Sequence, residues 1–301
     1  MTDLPHAPAA WAIKISTLLQ HIQSATGEAF YPIQIEKIAR EVSLQFFPED
    51  PITEICGAKF SPKFEGLLRP IPAPRGGWGI IYNDAIKSRG RINYTLAHEL
   101  GHYLLHRAKI TDGIQCSRDD MMKWDSAYGK LEAEANKFAS YLLMPRNLFE
   151  DLIAGETINL HLMNHVANHF DVSVTATILK WLEFTPKRAM LVVARDGFIA
   201  WTRPSQNLRK SGIFLKTEQA PIELPAQSLA ARKDRTFDNE EGLQHPAGVW
   251  PFKESVFEAT LLAENYDMTI SLLLFPDRAP DRFFEDAPEV EDTFDRLSRH
   301  S

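Results

Sequence analysis

Apolar residues first recur at helical spacing, then at alternate positions, and these changes of period lay out the chain. Trp11, Ile15, Leu18, Leu19 and Ile22 fall on one side of a helical repeat, which predicts an amphipathic helix over 10–24. Gly27 and Pro32 break it. A second helix is expected at 34–43, with Ile35, Ile38, Ala39 and Val42 inward. Residues 54–60, 65–70 and 78–83 read as strands separated by turns such as PIPAPRGG. WGIIYN suits an inner strand, and EGLLRP, ending in proline, an edge strand. The helical period returns over 91–107, with Ile92, Leu96, Leu100 and Leu104 on one side. It returns again over 131–145, where Leu131, Ala135, Phe138, Ala139, Leu142 and Leu143 form the apolar face and Pro145 stops the helix.

Residues 158–184 predict two or three short helices with a helix-turn-helix look, Asp171 and Ser173 lying at the turn. After Pro186 the texture is that of strands. AMLVVA and FIAWT form a hairpin about Asp196-Gly197, and GIFLK, VFEATLLAE and MTISLLLF extend the sheet, the last two separated by Asn265-Tyr266-Asp267. The fold class expected is α+β. Four segments follow: a domain over 1–155, a helical connector over 156–186, a β-rich domain over 187–276 and an acidic tail over 277–301.

Composition narrows the function classes. The net charge of −7 argues against bulk attraction to nucleic acid, and the final stretch from Pro276 to His300 carries eight acids against four arginines, more than half of that charge. Such a tail is expected to lack fixed structure. Two cysteines, Cys56 and Cys116, make no disulfide framework and suit a reducing compartment. No apolar run is long enough to span a membrane, and the N-terminus lacks the pattern of a signal peptide. A cytoplasmic protein with no membrane association is expected.

The chemistry gathers in RINYTLAHELGHYLLHR. On a helix, residues four apart share a face, so His98 and His102 can present two imidazoles to one metal ion. Glu99, about a hundred degrees round from His98, can reach a metal-bound water without ligating the ion. This is the H-E-x-x-H pattern of zinc hydrolases, which needs a third ligand from elsewhere. Glu132 offers one. It lies one turn before Ala135 and Ala139 and points to the buried side of its helix, where an acid needs a cation or a partner. Glu134 is the rival, well round the helix from Glu132. Asn136 shares the face of Glu132 and could orient a ligating histidine through the ring's other nitrogen. His106 cannot join His98 on one ion, because eight residues of helix span about 12 Å. It reads as a hydrogen-bonding residue near the site.

HELGHYLLH followed by ExEANxFAxxLLMP resembles the ImmA/IrrE family of zinc metallo-endopeptidases. IEKIAREV, EGLLRP and GGWGIIYN upstream fit as well, so the resemblance covers roughly residues 30–150. It implies a zincin-like, gluzincin-type peptidase domain. It also implies Zn²⁺ on His98, His102 and Glu132, and Glu99 as general base. Some members cleave a DNA-binding repressor and so switch on a stress or mobile-element programme; the implied partner is therefore a protein substrate, a transcriptional repressor. The alternative is a non-catalytic regulator that uses the zinc fold as a binding platform. A retained Glu99 favours the enzyme, since a structural zinc has no use for a carboxylate beside the bound water.

Other expectations are secondary. An extended substrate is expected to add to residues 66–69 as a strand. The polar stretch between the two motif helices reads as a lid whose Cys116 could approach the zinc. Tyr103, Tyr128 and Tyr141 are candidate donors to an oxyanion. His161, His165 and His169 share a helical face but no acid accompanies them, so a plain polar face is expected. The 158–184 segment is expected not to bind DNA directly, because Lys180 is its only basic residue besides histidine.

Overall fold

In the computed structural model, residues 4–61, 64–109, 114–117, 127–217, 220–232, 242–263 and 268–277 are described. The acidic tail, residues 264–267 and most of the stretch expected to form a lid lie outside them. The architecture is mixed α+β, with a small sheet among helices and then a β-rich C-terminal half. The described residues divide into two compact units: those within Met1–Ala154 with Val166–Ser173, and Gly155–His165 with those from Val174 to residue 277.

In the first unit, α1 (Pro8–Thr26) ends where Gly27 turns left-handed at φ 75° and its N–H bonds the Gln23 carbonyl. Trp11, Ile15 and Leu19 bury the stripe expected of it, whereas Leu18 and Ile22 stay partly exposed at its margin. Next comes α2 (Ile35–Phe46), then β1 (Ile52–Ala58), β2 (Phe64–Pro70) and β3 (Trp78–Asn83). The order is β1-β3-β2-β4, with β4 (Ile114–Ser117) outermost. β3 runs parallel to β1 and antiparallel to β2; β2 and β4 are antiparallel. Alternation sends Gly66 and Leu68 of β2 inward, and Leu68 pairs with the equally buried Ile80 of β3. The buried Asn83 side chain ties the β1–β2 connection, donating to the carbonyls of Ser61 and Phe64 and accepting from the N–H groups of Phe60 and Ala85.

Against this sheet lies α3 (Arg89–His106), capped by Ser88, whose hydroxyl accepts from Arg91 N. It continues into a short 3₁₀ turn at Arg107–Lys109. α4 (Ala127–Leu143) packs along α3, and α5 (Arg146–Ile153) follows Pro145. α3 is covered on several sides, by the sheet, α4, α1 and α2, so most of its residues from Asn93 to His106 are buried.

β2 is not an edge strand. Its outer side is taken by β4, with Gly66 opposite Cys116 and Leu68 opposite Ile114. The proline that suggested an edge sits at the last position of β2, where it costs no ladder bond in the middle of the pairing. The expected addition of a substrate to residues 66–69 is therefore corrected.

α6 (Leu160–Phe170) and α7 (Val174–Phe184) match the expected short helices, and Asp171 between them takes a left-handed φ of 52°. In the second unit, β5 (Ala189–Arg195) and β6 (Phe198–Pro204) form the expected hairpin. Asp196 and Gly197 both adopt positive φ, as a two-residue turn matched to strand twist requires. After α8 (Gln206–Lys210), the strands β7 (Ile222–Glu223), β8 (Leu243–His245), β9 (Val256–Ala263) and β10 (Met268–Leu274) complete an antiparallel sheet of order β7-β6-β5-β10-β9-β8. GIFLK is not a strand: β7 takes the free side of β6, and Ile213 and Leu215 instead pack irregularly on a core of Met190, Val192, Leu208, Trp250 and Leu273. Its alternation reported burial rather than pairing.

Two buried ionic hubs hold this unit. Arg188 forks onto Glu254 and also donates to Ser211 Oγ and the Pro276 carbonyl. Glu258 of β9, fully buried, accepts from the N–H groups of Leu229 and Ala230, from Trp250 Nε1 and from Thr260 Oγ1, and meets His245 Nε2 at 2.9 Å.

Candidate metal centre

The helical phase of HELGH puts His98 and His102 on the flank of α3 that faces α4. Gly101 lets the two helices close: a Cβ there would stand 3.0 Å from the Phe138 ring and 3.2 Å from Ala135 Cα. Ala135 and Phe138 belong to the buried stripe of α4, and the same stripe carries Glu132 inward. A small residue on α3 facing a small residue on α4 thus brings three polar side chains together in an apolar setting.

Two ring nitrogens and one carboxylate converge. His98 Nε2 and His102 Nε2 lie 2.9 Å apart, and each stands 3.2 Å from a different oxygen of Glu132. All three residues are buried, and they are the one group of histidine, cysteine or acidic side chains among the described residues spaced to share an ion. Ligands about 2.0–2.1 Å from a tetrahedral zinc are separated by about 3.3 Å, and the separations of 2.9 and 3.2 Å are near that spacing. The remaining ring nitrogens are engaged elsewhere. His98 Nδ1 lies 2.9 Å from Asn136 Oδ1, which also accepts from the Tyr94 hydroxyl at 2.8 Å. His102 Nδ1 lies 3.0 Å from His106 Nδ1. Each Nε2 of the pair therefore belongs to a ring held from behind, as a metal-binding imidazole would require.

Charge follows the geometry. Burial alone would lower His98, but the Glu132 carboxylate, by charge and by hydrogen bond, and Glu99 by charge raise it to about 9. Burial likewise works to raise Glu132, and the two histidines outweigh it and hold it below the carboxylate range. Burial and the neighbouring His98 lower His102 to about 4. Near neutral pH the triad thus pairs a protonated His98 with the Glu132 carboxylate, and a divalent cation would displace that proton.

Glu99 is fully buried beside the triad, not in it. It lies against the backbone of β2 at Gly66, where an added Cβ would come within 2.7 Å of Glu99 Oε1 and 2.6 Å of Thr95 Cγ2. A side chain at position 66 would force Thr95 and Glu99 to shift. Nearby, Arg91 pairs with Glu65 of β2.

Other expected residues fall elsewhere. Glu134 is outside the triad and meets His106 Nε2 at 2.9 Å. Tyr103 is buried and donates to the Asp50 carbonyl at 3.0 Å, which removes it as an oxyanion donor. Tyr141 is half-buried on α4, while the side chains of Tyr128 and Cys116 lie outside the described residues. Gly66, Tyr94 and the pairing of His106 with Glu134 were missed from the sequence. The i+4 spacing of His106 after His102 signalled His106 alone, since long-range partners carry no local period.

Residues 61–181 match the Peptidase_M78 family model, described as the IrrE N-terminal-like domain. No curated protein matches the chain. Among solved structures, a Mycobacterium tuberculosis transcriptional regulator is similar at a TM-score of 0.51 and 11% identity, over 86% of this chain and 75% of that one. At that identity the likeness is one of fold.

Proposed function

From the ImmA/IrrE membership carried by residues 61–181, we propose that the chain is a zinc-dependent endopeptidase with a zincin-like, gluzincin-type catalytic domain. The observation that supports it most is the triangle of His98, His102 and Glu132 with a buried Glu99 alongside. His98 and His102 give Nε2 lone pairs and Glu132 gives a carboxylate, the His₂Glu set of a catalytic zinc with a position left for water. A zinc ion held by His98, His102 and Glu132 would supply Lewis acidity there, toward a water and a peptide carbonyl. Glu99 takes a proton from the attacking water and returns it to the leaving amine nitrogen. The Gly66 backbone walls Glu99 in and fixes its direction. Asn136, held by Tyr94, orients His98.

The substrate proposed is a protein, in keeping with the family resemblance a DNA-binding transcriptional repressor of a stress or mobile-element response. An extended substrate adding to this sheet would pair with β4, the outer strand on that side. The β-rich half is assigned a docking or regulatory role.

The test is Glu99→Gln. Zinc content should match the wild type, while cleavage of a defined peptide library, read by mass spectrometry, should fall by at least ~10²-fold. Equal cleavage by the variant would remove Glu99 from the mechanism. Absence of cleavage by the zinc-loaded wild type on any protein or peptide would favour the non-catalytic binding platform instead.

A further inference from the structure

Behind His102 stand two groups that the peptidase reading does not use, His106 and Glu134. Glu134 Oε2 lies 2.9 Å from His106 Nε2, and His106 Nδ1 lies 3.0 Å from His102 Nδ1. His102 and His106 have fully buried side chains, whereas that of Glu134 is 49% exposed. As a source of stability such a half-exposed pair is worth little. Its consequence lies in proton placement.

An ionised carboxylate only accepts, so the proton of a neutral His106 sits on Nε2, facing Glu134. His106 Nδ1 is then a bare lone pair. Two ring nitrogens 3.0 Å apart need one proton between them, and it must come from His102 Nδ1. That leaves His102 Nε2 unprotonated, and this is the nitrogen 2.9 Å from His98 Nε2 and 3.2 Å from Glu132. With a donor in place of Glu134 every polarity along the chain would reverse, and His102 would turn an N–H toward the triad.

We propose that Glu134 and His106 are positioning residues that hold His102, through two rings, in the tautomer able to give Nε2 to a cation. This rests on the metal-binding reading above. It also gives distinct work to two acids two residues apart on α4: Glu132 turns inward to the triad, and Glu134 acts from the surface through His106.

The test uses full-length protein and two readouts: the His102 tautomer by imidazole ¹⁵N NMR on the metal-free chain, and zinc affinity by competition with a chromophoric chelator. Wild type should carry the His102 proton on Nδ1. Glu134→Ala should mix the tautomers and weaken zinc ~10–100-fold, the usual cost of losing an outer partner of a ligating histidine. Glu134→Gln, which removes the charge but keeps an acceptor oxygen, should restore most of both. Because Glu134 is half-exposed these variants should fold; His106→Phe, which removes the relay ring, should behave like Glu134→Ala.

A wild-type His102 protonated on Nε2 would overturn the proposal. So would Glu134→Ala with unchanged tautomer, whatever its affinity, or with altered tautomer and unchanged affinity. If Glu134→Gln were as impaired as Glu134→Ala, charge rather than tautomer would be responsible and the proposal would fall. Failure of the wild type to bind zinc would instead refute the metal-binding reading, and the NMR arm would still decide the relay.

Discussion

Gly66→Ala is the sharpest probe of the site, because it adds one methyl to a residue that carries none of the proposed chemistry. Its Cβ would stand 2.7 Å from Glu99 Oε1 and 2.6 Å from Thr95 Cγ2, where ordinary contact begins at 3.4 Å. The Glu99 oxygen must therefore retreat by about 0.7 Å. Glu99 has no exposed side into which to swing. Overpacking of this kind costs about 1–3 kcal/mol of stability, which leaves most chains folded. A displacement approaching 1 Å in a catalytic group costs about 10²-fold in rate, so the variant should approach Glu99→Gln in activity. Zinc content should stay at wild-type level, since the nearest atoms to the new methyl belong to Thr95 and Glu99 and not to the triad.

The assay is zinc stoichiometry, denaturant unfolding and peptide hydrolysis on one preparation. Gly79→Ala on the adjacent strand is the control, its Cβ meeting Ile71 at an ordinary 3.4 Å. Adding Thr95→Ser to Gly66→Ala removes a methyl-sized obstacle but leaves the pressure on Glu99, so activity should remain low. Wild-type hydrolysis by folded, zinc-replete Gly66→Ala would refute the reasoning, and recovery on adding Thr95→Ser would shift the cause from Glu99 to Thr95.

Further outcomes are expected. Gly101→Leu should force α3 from α4 at Ala135 and Phe138, weakening zinc while leaving all three donors in the sequence; unchanged affinity in a chelator titration would contradict the close-packing argument. His98 is raised to about 9, so in metal-free protein the His98–Glu132 pair contributes stability that is complete below about pH 6.5 and is lost as pH rises through about 9. Zinc must displace that proton, so its affinity should climb roughly tenfold per pH unit through the neutral range and flatten above about 9, and a flat profile in calorimetry would count against the assignment. Glu258→Ala should strip the acceptor from buried donors on Leu229, Ala230, Trp250 and Thr260 and destabilise the β-rich unit by about 3–5 kcal/mol in denaturant unfolding.

What the sequence determined by itself is local. Helical period put His98 and His102 on one flank of α3, Glu99 beside them, and Glu132 on the buried stripe of α4. The Asp196-Gly197 pair specified its hairpin because few residues tolerate positive φ at two successive positions. These follow from backbone geometry, which acts over a few residues. Tertiary structure decided which groups meet across long separations. It set His106 against Glu134 rather than a metal, gave the Tyr103 hydroxyl to Asp50, and pressed Gly66 against Glu99. It also laid Ile114–Ser117 along β2, and left GIFLK packed but unpaired. In each case a hydrogen-bonding or packing requirement was met by whichever partner the closed fold brought within reach, and neither period nor spacing along the chain encodes that choice.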